Sequence, residues 1–237
     1  MMQPILRVID VETSGLDPAA GAALLEVGIV TRDVPAGTGV PRYYPTGWFV
    51  EHDGPIPPEA KAVHHITESH VSLAGGAKTR AIHSTLLRQF DNEAAVWAAH
   101  NADFDRRFLP ELQRPFVCTY RCALHLWPEA PGHSVQVLRY WLGGEPAPED
   151  LDGRAPHRAL YDCFCTMQIL ERMLVTHTVD ELLALTAEPV LLYRVRFGKH
   201  KGALWSQLPQ DYLRWVLRDG GFDADVVHTA RYYLGLL

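Results

Sequence analysis

Leu6-Arg-Val-Ile-Asp-Val-Glu-Thr-Ser-Gly15 reads as a buried central strand that ends in acid. Leu6, Val8, Ile9 and Val11 make a short apolar, largely β-branched run of the kind that fills the middle of a sheet. Asp10 and Glu12 interrupt its end, and residues two apart in a strand point to the same face. Two carboxylates projecting together from an apolar strand repel each other and desolvate badly unless something cationic sits between them. Hard divalent cations with oxygen ligands, Mg²⁺ or Mn²⁺, suit such a pair. On this stretch alone, a solvated strand end leading into the Thr13-Ser-Gly-Leu-Asp-Pro18 turn explains the acids equally well.

Outward from that strand, residues 24–31 read as a second strand and residues 48–50 as a third, bracketed by Gly47 and the Asp53-Gly-Pro55 turn. Residues 59–65 predict a short helix, and residues 82–90 a helix with Ile82, Leu86 and Phe90 on one face. Residues 94–99 read as a buried strand ending at His100-Asn101. A helix over 102–112, stopped before Pro115, a short strand at 116–119, and short helices containing 124–127 and 135–141 follow. Residues 143–156, rich in Pro, Gly and acid, predict a surface loop. Residues 157–175 form a long helix with Leu160, Phe164, Met167, Leu170 and Leu174 as its apolar stripe, and Thr178 caps a last helix through 185. Strands followed by helices alternating with strands indicate an α/β layer with a mixed sheet.

At 237 residues, 47% hydrophobic and 21% charged, the chain has the make-up of a soluble globular protein: one large domain, or one domain with a small appendage. No run approaches the roughly 20 apolar residues of a membrane span, no membrane partner is expected, and the cytoplasm is the expected location. Cys118, Cys122, Cys163 and Cys165 lack zinc-site spacing and read as packing thiols. The net charge of −6 is unevenly spread. Residues 1–189 hold 15 Lys and Arg against 24 Asp and Glu, whereas residues 190–237 hold 7 against 4. An acidic body that meets nucleic acid needs bound cations to offset its charge.

Two further places carry acids. In His100-Asn-Ala-Asp-Phe-Asp105 a helix begins near Asn101 or Ala102, which can cap it, and Asp103 complements the helix dipole. Asp105 falls near that helix's N-terminal end, where it can face the end of the first strand. In His157-Arg-Ala-Leu-Tyr-Asp162, five helical residues turn through about 500°, so His157 and Asp162 do not share a helix face. His157 is therefore expected at the loop–helix junction, with only Asp162 fixed on the helix. A histidine beside a metal carboxylate is suited to act as a general base, but a lone histidine and aspartate in a helix are usually just solvated.

Asp-x-Glu-Thr on a strand, His-Asn-x-x-Phe-Asp at a strand–helix junction and His-x₄-Asp on a late helix, in that order, resemble the DEDDh 3′–5′ exonucleases, a superfamily with an RNase H-like fold. Val63-His-His-Ile-Thr-Glu-Ser resembles that family's His-x-Ile-Thr segment. Asn101-Ala-Asp-Phe-Asp-Arg-Arg-Phe-Leu-Pro-Glu-Leu112 and His157-Arg-Ala-Leu-Tyr-Asp-Cys163 look like its exodeoxyribonuclease X branch. So does the ending, Arg196-Phe-Gly-Lys-His-Lys-Gly202 followed by Asp211-Tyr-Leu-Arg-Trp215.

The resemblance implies an RNase H-like mixed sheet flanked by helices over residues 1–188, with a small basic module of the same branch over 189–237. It implies that Asp10, Glu12, Asp105 and Asp162 hold two Mg²⁺ or Mn²⁺ ions, with Asp10 the bridge, and that His157 deprotonates the attacking water. Thr13, Gly15 and Leu16 would line the pocket for the 3′-terminal nucleotide, with His65 and Asn101 as further substrate contacts. The partner would be a DNA 3′ end, single-stranded or duplex, and the product a nucleoside 5′-monophosphate, as in a free-standing exonuclease of DNA repair. An RNA-trimming enzyme is one alternative; another is a proofreading or DNA-binding subunit that docks a protein partner through its C-terminal module. The Gly198–Gly202 segment is either a hairpin presenting lysines to phosphate or a turn with solvated lysines.

Overall fold

The computed structural model of the protein describes residues 5–72, 85–92, 95–144 and 156–237. Five strands form one mixed sheet: β1 (Ile5–Thr13), β2 (Leu24–Asp33), β3 (Arg42–Phe49), β4 (Ala95–Ala99) and β5 (Phe116–Cys118). Their order is β3-β2-β1-β4-β5. β2 runs antiparallel to both β1 and β3, while β4 is parallel to β1 and β5 to β4. The acid-ended strand is thus the central one, and the fold is the α/β, RNase H-like mixed sheet that the sequence predicts.

The helices are α1 (Pro58–His64), α2 (Glu68–Ser72), α3 (Ala102–Phe108), α4 (Thr119–Leu126), α5 (Val135–Trp141), α6 (Ala159–Leu174), α7 (Val179–Ala187), α8 (Gln210–Asp219) and α9 (Ala224–Tyr233). Strand alternation sorts the core into two layers. Leu6 and Val8 of β1 join Val30, Leu160, Met167 and Leu170 beneath α6. Ile9 and Val11 pack on the opposite face with Val27, Trp97, Ala102 and Phe108. The same alternation carries Asp10 and Glu12 to the α6 face.

Gly28 sets the height of α6 above the sheet. A Cβ there would lie 2.5 Å from the Ala159 carbonyl carbon and 2.5 Å from the Leu160 nitrogen, so only glycine allows the first turn of α6 to rest on β2. Gly28→Ala must push that turn outward against backbone atoms. It is expected to cost ~1–3 kcal/mol by overpacking and to displace Asp162, which moves with the turn. Thermal melting of the variant checks the loss of stability.

Several elements differ from their sequence expectation. The third strand is longer than residues 48–50, and Gly47 lies inside it, paired with Gly28. It is an edge strand, so Pro45 forfeits no bond to a further neighbour. α3 ends at Phe108 rather than running to residue 112, because Pro110 disfavours helical geometry at Leu109. Asn101 occupies the position before α3 but does not cap it: its φ is 72° and its side chain makes no cap bond. Residues 85–90 are helical, while the remainder of the helix expected over 82–90 lies outside the described residues, as does most of the loop expected over 143–156. Thr178 caps α7 as expected, in a reciprocal capping box with Glu181.

α7 closes at Ala187 with Glu188 as its C-cap, where the proposed boundary between residues 1–188 and 189–237 falls. Beyond it, Val190, Leu192, Val195, Trp205, Leu213, Val216 and Ala230 form a core that also takes in Leu124 of α4. Arg121 of α4 pairs with Asp225 at 2.7 Å and donates to the carbonyls of Thr186 and Glu188. Leu213 is buried, whereas Trp215 is 39% exposed and lies against Tyr212 and Phe222 rather than in the core. A chain ended at Glu188 is expected to fold and to melt several degrees lower, because Leu124 loses its cover and Arg121 its carboxylate. Comparing the melting temperatures of residues 1–188 and the full chain tests this.

Candidate active site

β1 and α6 build the site between them. Asp10, Glu12 and Asp162 bring carboxylate oxygens within 4.8 Å of one another. Asp105, buried in the first turn of α3, completes the acidic group from the β4 side; its charge acts directly on Asp10. The four acids singled out in the sequence therefore converge, three as one cluster and Asp105 beside Asp10.

Without a cation these carboxyls strongly resist ionisation. Burial, then the charges of Asp105 and Glu12, push Asp10 well above the usual carboxylate range. Burial, Asp162 and Glu26 push Glu12 up to about 9. Burial pushes Asp105 up to about 8, against the opposing pull of the backbone N–H groups of Asp105 and Val11. Asp162 is raised by burial as well, opposed by its hydrogen bond from His157. An all-oxygen, multiply acidic group with hardly any protein cation nearby fits hard divalent ions.

A native pKa above the unfolded value adds stability that is complete below the unfolded pKa, about 4 here, and is lost as pH rises through the native one. For Glu12 and Asp105 that loss runs up to about pH 9 and about pH 8. The metal-free protein is therefore expected to melt at progressively lower temperature from pH 5 to pH 9. Mg²⁺ at one fixed concentration, about a hundredfold above its apparent Kd at pH 7, should restore ~2.7 kcal/mol there, and the increment should grow with pH because the apparent Kd falls as protons leave the carboxyls. Melting curves in Mg²⁺ and in chelator across that range check it; an increment independent of pH contradicts it.

His157 stands where the sequence places it, outside α6 at the loop–helix junction, exposed and with φ 64°. Its backbone N–H donates to Asp162 Oδ2 at 2.8 Å, so the same carboxylate that joins the acidic cluster also fixes the backbone of the histidine. Gln136 of α5 donates to Asp162 Oδ1 at 3.2 Å.

Glu26 escaped the sequence reading. It lies opposite Glu12 in the β1–β2 register and is 5% exposed. Both its oxygens bind Arg158, at 2.9 and 2.8 Å, and one also accepts the first N–H of α6 from Ala159 at 3.2 Å. The residue next to His157 is thereby tied to the sheet, and Arg158 brings a positive charge close to Glu12. The available signal was acid within an otherwise apolar strand, Leu24-Leu-Glu-Val-Gly-Ile-Val, the same signal that flagged Asp10 and Glu12.

The expected nucleotide-pocket residues cluster just past a register shift between Glu12 and Thr13. Thr13 is buried and donates to the Gly15 carbonyl at 2.7 Å, while Leu16 is 80% exposed. Gly15 and Leu16 line an open cavity of about 420 Å³ with His52 and Pro55. Asn101 is exposed in a left-handed conformation at the start of α3. His65 is exposed at the end of α1, also left-handed. The histidine turned inward is its neighbour His64, whose Nδ1 accepts from the Ile66 N–H at 2.9 Å. Burial keeps its imidazole below its usual pKa.

Comparison with known proteins agrees with this geometry. The sequence profile of the RNase T exonuclease family matches residues 8–170. Exodeoxyribonuclease 10 of Escherichia coli (strain K12) is 32% identical over 236 residues, covering 97% of this chain and 99% of that relative. A DNA polymerase III subunit epsilon-like protein of Rhodobacter capsulatus is 32% identical over 177 residues, 70% of this chain and 23% of that protein. Among solved structures, exonuclease X in complex with 5′ overhanging duplex DNA superposes with TM-score 0.58 at 33% identity, covering 77% of this chain and 99% of that one. Escherichia coli exonuclease I with a dA16 oligonucleotide shares the fold at TM-score 0.55 and 16% identity, over 77% of this chain and 42% of that one.

Proposed function

Given that this chain belongs to the exonuclease family, we propose that it hydrolyses the terminal phosphodiester at DNA 3′ ends and releases nucleoside 5′-monophosphates. The observation that carries the reading is the convergence of Asp10, Glu12 and Asp162 within 4.8 Å, with His157 bonded through its backbone to Asp162. The exodeoxyribonuclease relative, matched over nearly its whole length, supports DNA as the substrate.

Asp10, Glu12, Asp105 and Asp162 would hold the two divalent ions, Mg²⁺ or Mn²⁺. Bound there, such ions supply charge neutralisation, a more acidic water and stabilisation of the leaving oxygen. The chain's own residues do the rest. His157, exposed beside the cluster, accepts the proton of the attacking water. Thr13, Gly15 and Leu16 bound the terminal nucleotide, with Leu16 offering an apolar surface to its base, and His64 or His65 and Asn101 frame the same end. Glu26 and Arg158 hold the His157 junction against the sheet, so that the base approaches from a fixed direction.

A panel of end-labelled single-stranded DNA, duplex DNA and RNA, each with Mg²⁺ or with chelator, tests the reading. Stepwise loss of label from DNA 3′ ends in Mg²⁺ alone is expected. Equal or faster trimming of RNA makes the enzyme a ribonuclease, and binding without cleavage of any of the three removes the enzymatic reading.

A further inference from the structure

Two groups among the cations of this acidic chain contrast with each other. Arg32, Lys61, Arg121 and Arg158 each face a carboxylate at 2.5–2.8 Å. Arg194, Arg196 and Lys201 do not: Arg194 donates to the Gly202 carbonyl at 3.0 Å and Arg196 to the Tyr120 hydroxyl, both neutral oxygens. These three line a cleft of about 420 Å³ where the C-terminal module meets the turn after α4, and no Asp or Glu is among its lining residues. In a protein of net charge −6, a cleft lined by three cations and, among the described residues, by no acid is a local reversal of sign, with Glu129 the acid that acts on its wall at His133.

Local structure explains how the cleft forms. The Val195 N–H donates to the Ala203 carbonyl and the Gly202 N–H to the Val195 carbonyl, at 2.9 and 2.8 Å, closing residues 195–203 into a hairpin-like loop. Val195 turns into the module's core, so Arg194 and Arg196, two apart, emerge together on the other face. Tyr193, 39% exposed, adds an aromatic ring to the lining.

A run of contacts leads from the cleft towards the candidate substrate end. Tyr120, which accepts from Arg196, packs edge-on against His100 with 5.6 Å between ring centroids, and His100 Nε2 donates to the His133 carbonyl in the cleft wall at 2.7 Å. Asn101, at the candidate substrate end, is the next residue. A positive groove with an aromatic platform is the recurring form of a single-strand site, in which cations track phosphates and a ring stacks a base.

We infer that this cleft holds the single strand that leads away from the cleaved 3′ end, with Arg194, Arg196 and Lys201 on successive phosphates and Tyr193 under a base. The inference rests on the exonuclease reading above and gives the C-terminal module a substrate-holding task. It is tested by equilibrium binding of a fluorescent 20-nucleotide single strand to the full chain in chelator, across a salt series. Three lost phosphate contacts, at ~0.7 each on single strands, should make the slope of log K against log salt shallower by ~2 in the Arg194→Gln/Arg196→Gln/Lys201→Gln variant. The charge-retaining Arg194→Lys/Arg196→Lys variant should keep the wild-type slope, and melting temperatures establish that each variant is folded. If the triple variant does not fold, Lys201→Gln alone, on an exposed side chain, should still lose ~0.7 of slope. An unchanged slope in a folded variant overturns the inference. Failure of the exonuclease reading shows separately, as wild-type protein that leaves DNA uncut in Mg²⁺.

Discussion

Asp162→Asn is expected to lower the rate of 3′-end cleavage by ~10³ or more, about 4 kcal/mol of transition-state stabilisation. The side chain keeps its shape but loses charge at the point where three duties meet. Asp162 contributes to the oxygen cluster with Asp10 and Glu12, accepts the His157 N–H and accepts from Gln136. The substitution also relieves repulsion among buried carboxyls, so the metal-free variant should melt no lower than wild type, while most of the Mg²⁺-dependent rise in melting temperature disappears. Rates on labelled single-stranded DNA, with melting curves in Mg²⁺ and in chelator, check both halves. A variant that cleaves at the wild-type rate places the chemistry elsewhere.

His157→Ala should cost on the order of 10²–10⁴ in rate while leaving the Mg²⁺-dependent melting shift in place. The two effects separate because the bond that orders this junction runs from the backbone nitrogen of residue 157, which alanine retains, and not from the imidazole. Alanine also tolerates the left-handed conformation at φ 64° poorly, a strain of order 1 kcal/mol. His157→Asn therefore serves as the partner variant, since asparagine adopts that conformation more readily and likewise lacks the base. Both should lose activity to a similar extent. Full activity in either removes the general-base role from His157.

Much of this was legible from the sequence because the signals were period and charge. β1 alternates strictly, so the same reading that buries Leu6 and Val8 beneath α6 also aims Asp10 and Glu12 at the α6 face. Helical rotation separates His157 from Asp162, and the histidine does stand outside the helix. What the sequence concealed depended on partners remote along the chain. In β3 the strand-favouring Tyr43, Tyr44 and Thr46 are interrupted by Pro45 and Gly47, which break the local signal; pairing with β2 is what extends it. Glu26 gains meaning only from Arg158, 132 residues away. α3 stopped early because Pro110 acted before Pro115, a local rule outweighed by the apolar pattern of Leu109 and Leu112, which are buried outside the helix. The C-terminal module read as an appendage because its hydrophobic residues could pack on one another; that they also enclose Leu124 of α4 has no local signature.

The position of bond cleavage tests the proposed chemistry most directly. Water attack on the terminal phosphorus, with departure of the penultimate nucleotide's 3′-oxygen, leaves the solvent oxygen on the phosphate of the released mononucleotide. Digestion of a single-stranded oligonucleotide in ¹⁸O-water with Mg²⁺, followed by mass spectrometry, should therefore give nucleoside 5′-monophosphates from the 3′ end carrying one solvent oxygen, and a shortened strand ending in an unlabelled 3′-hydroxyl. Release of nucleoside 3′-monophosphates, label retained on the shortened strand, or digestion that begins from the 5′ end would contradict it.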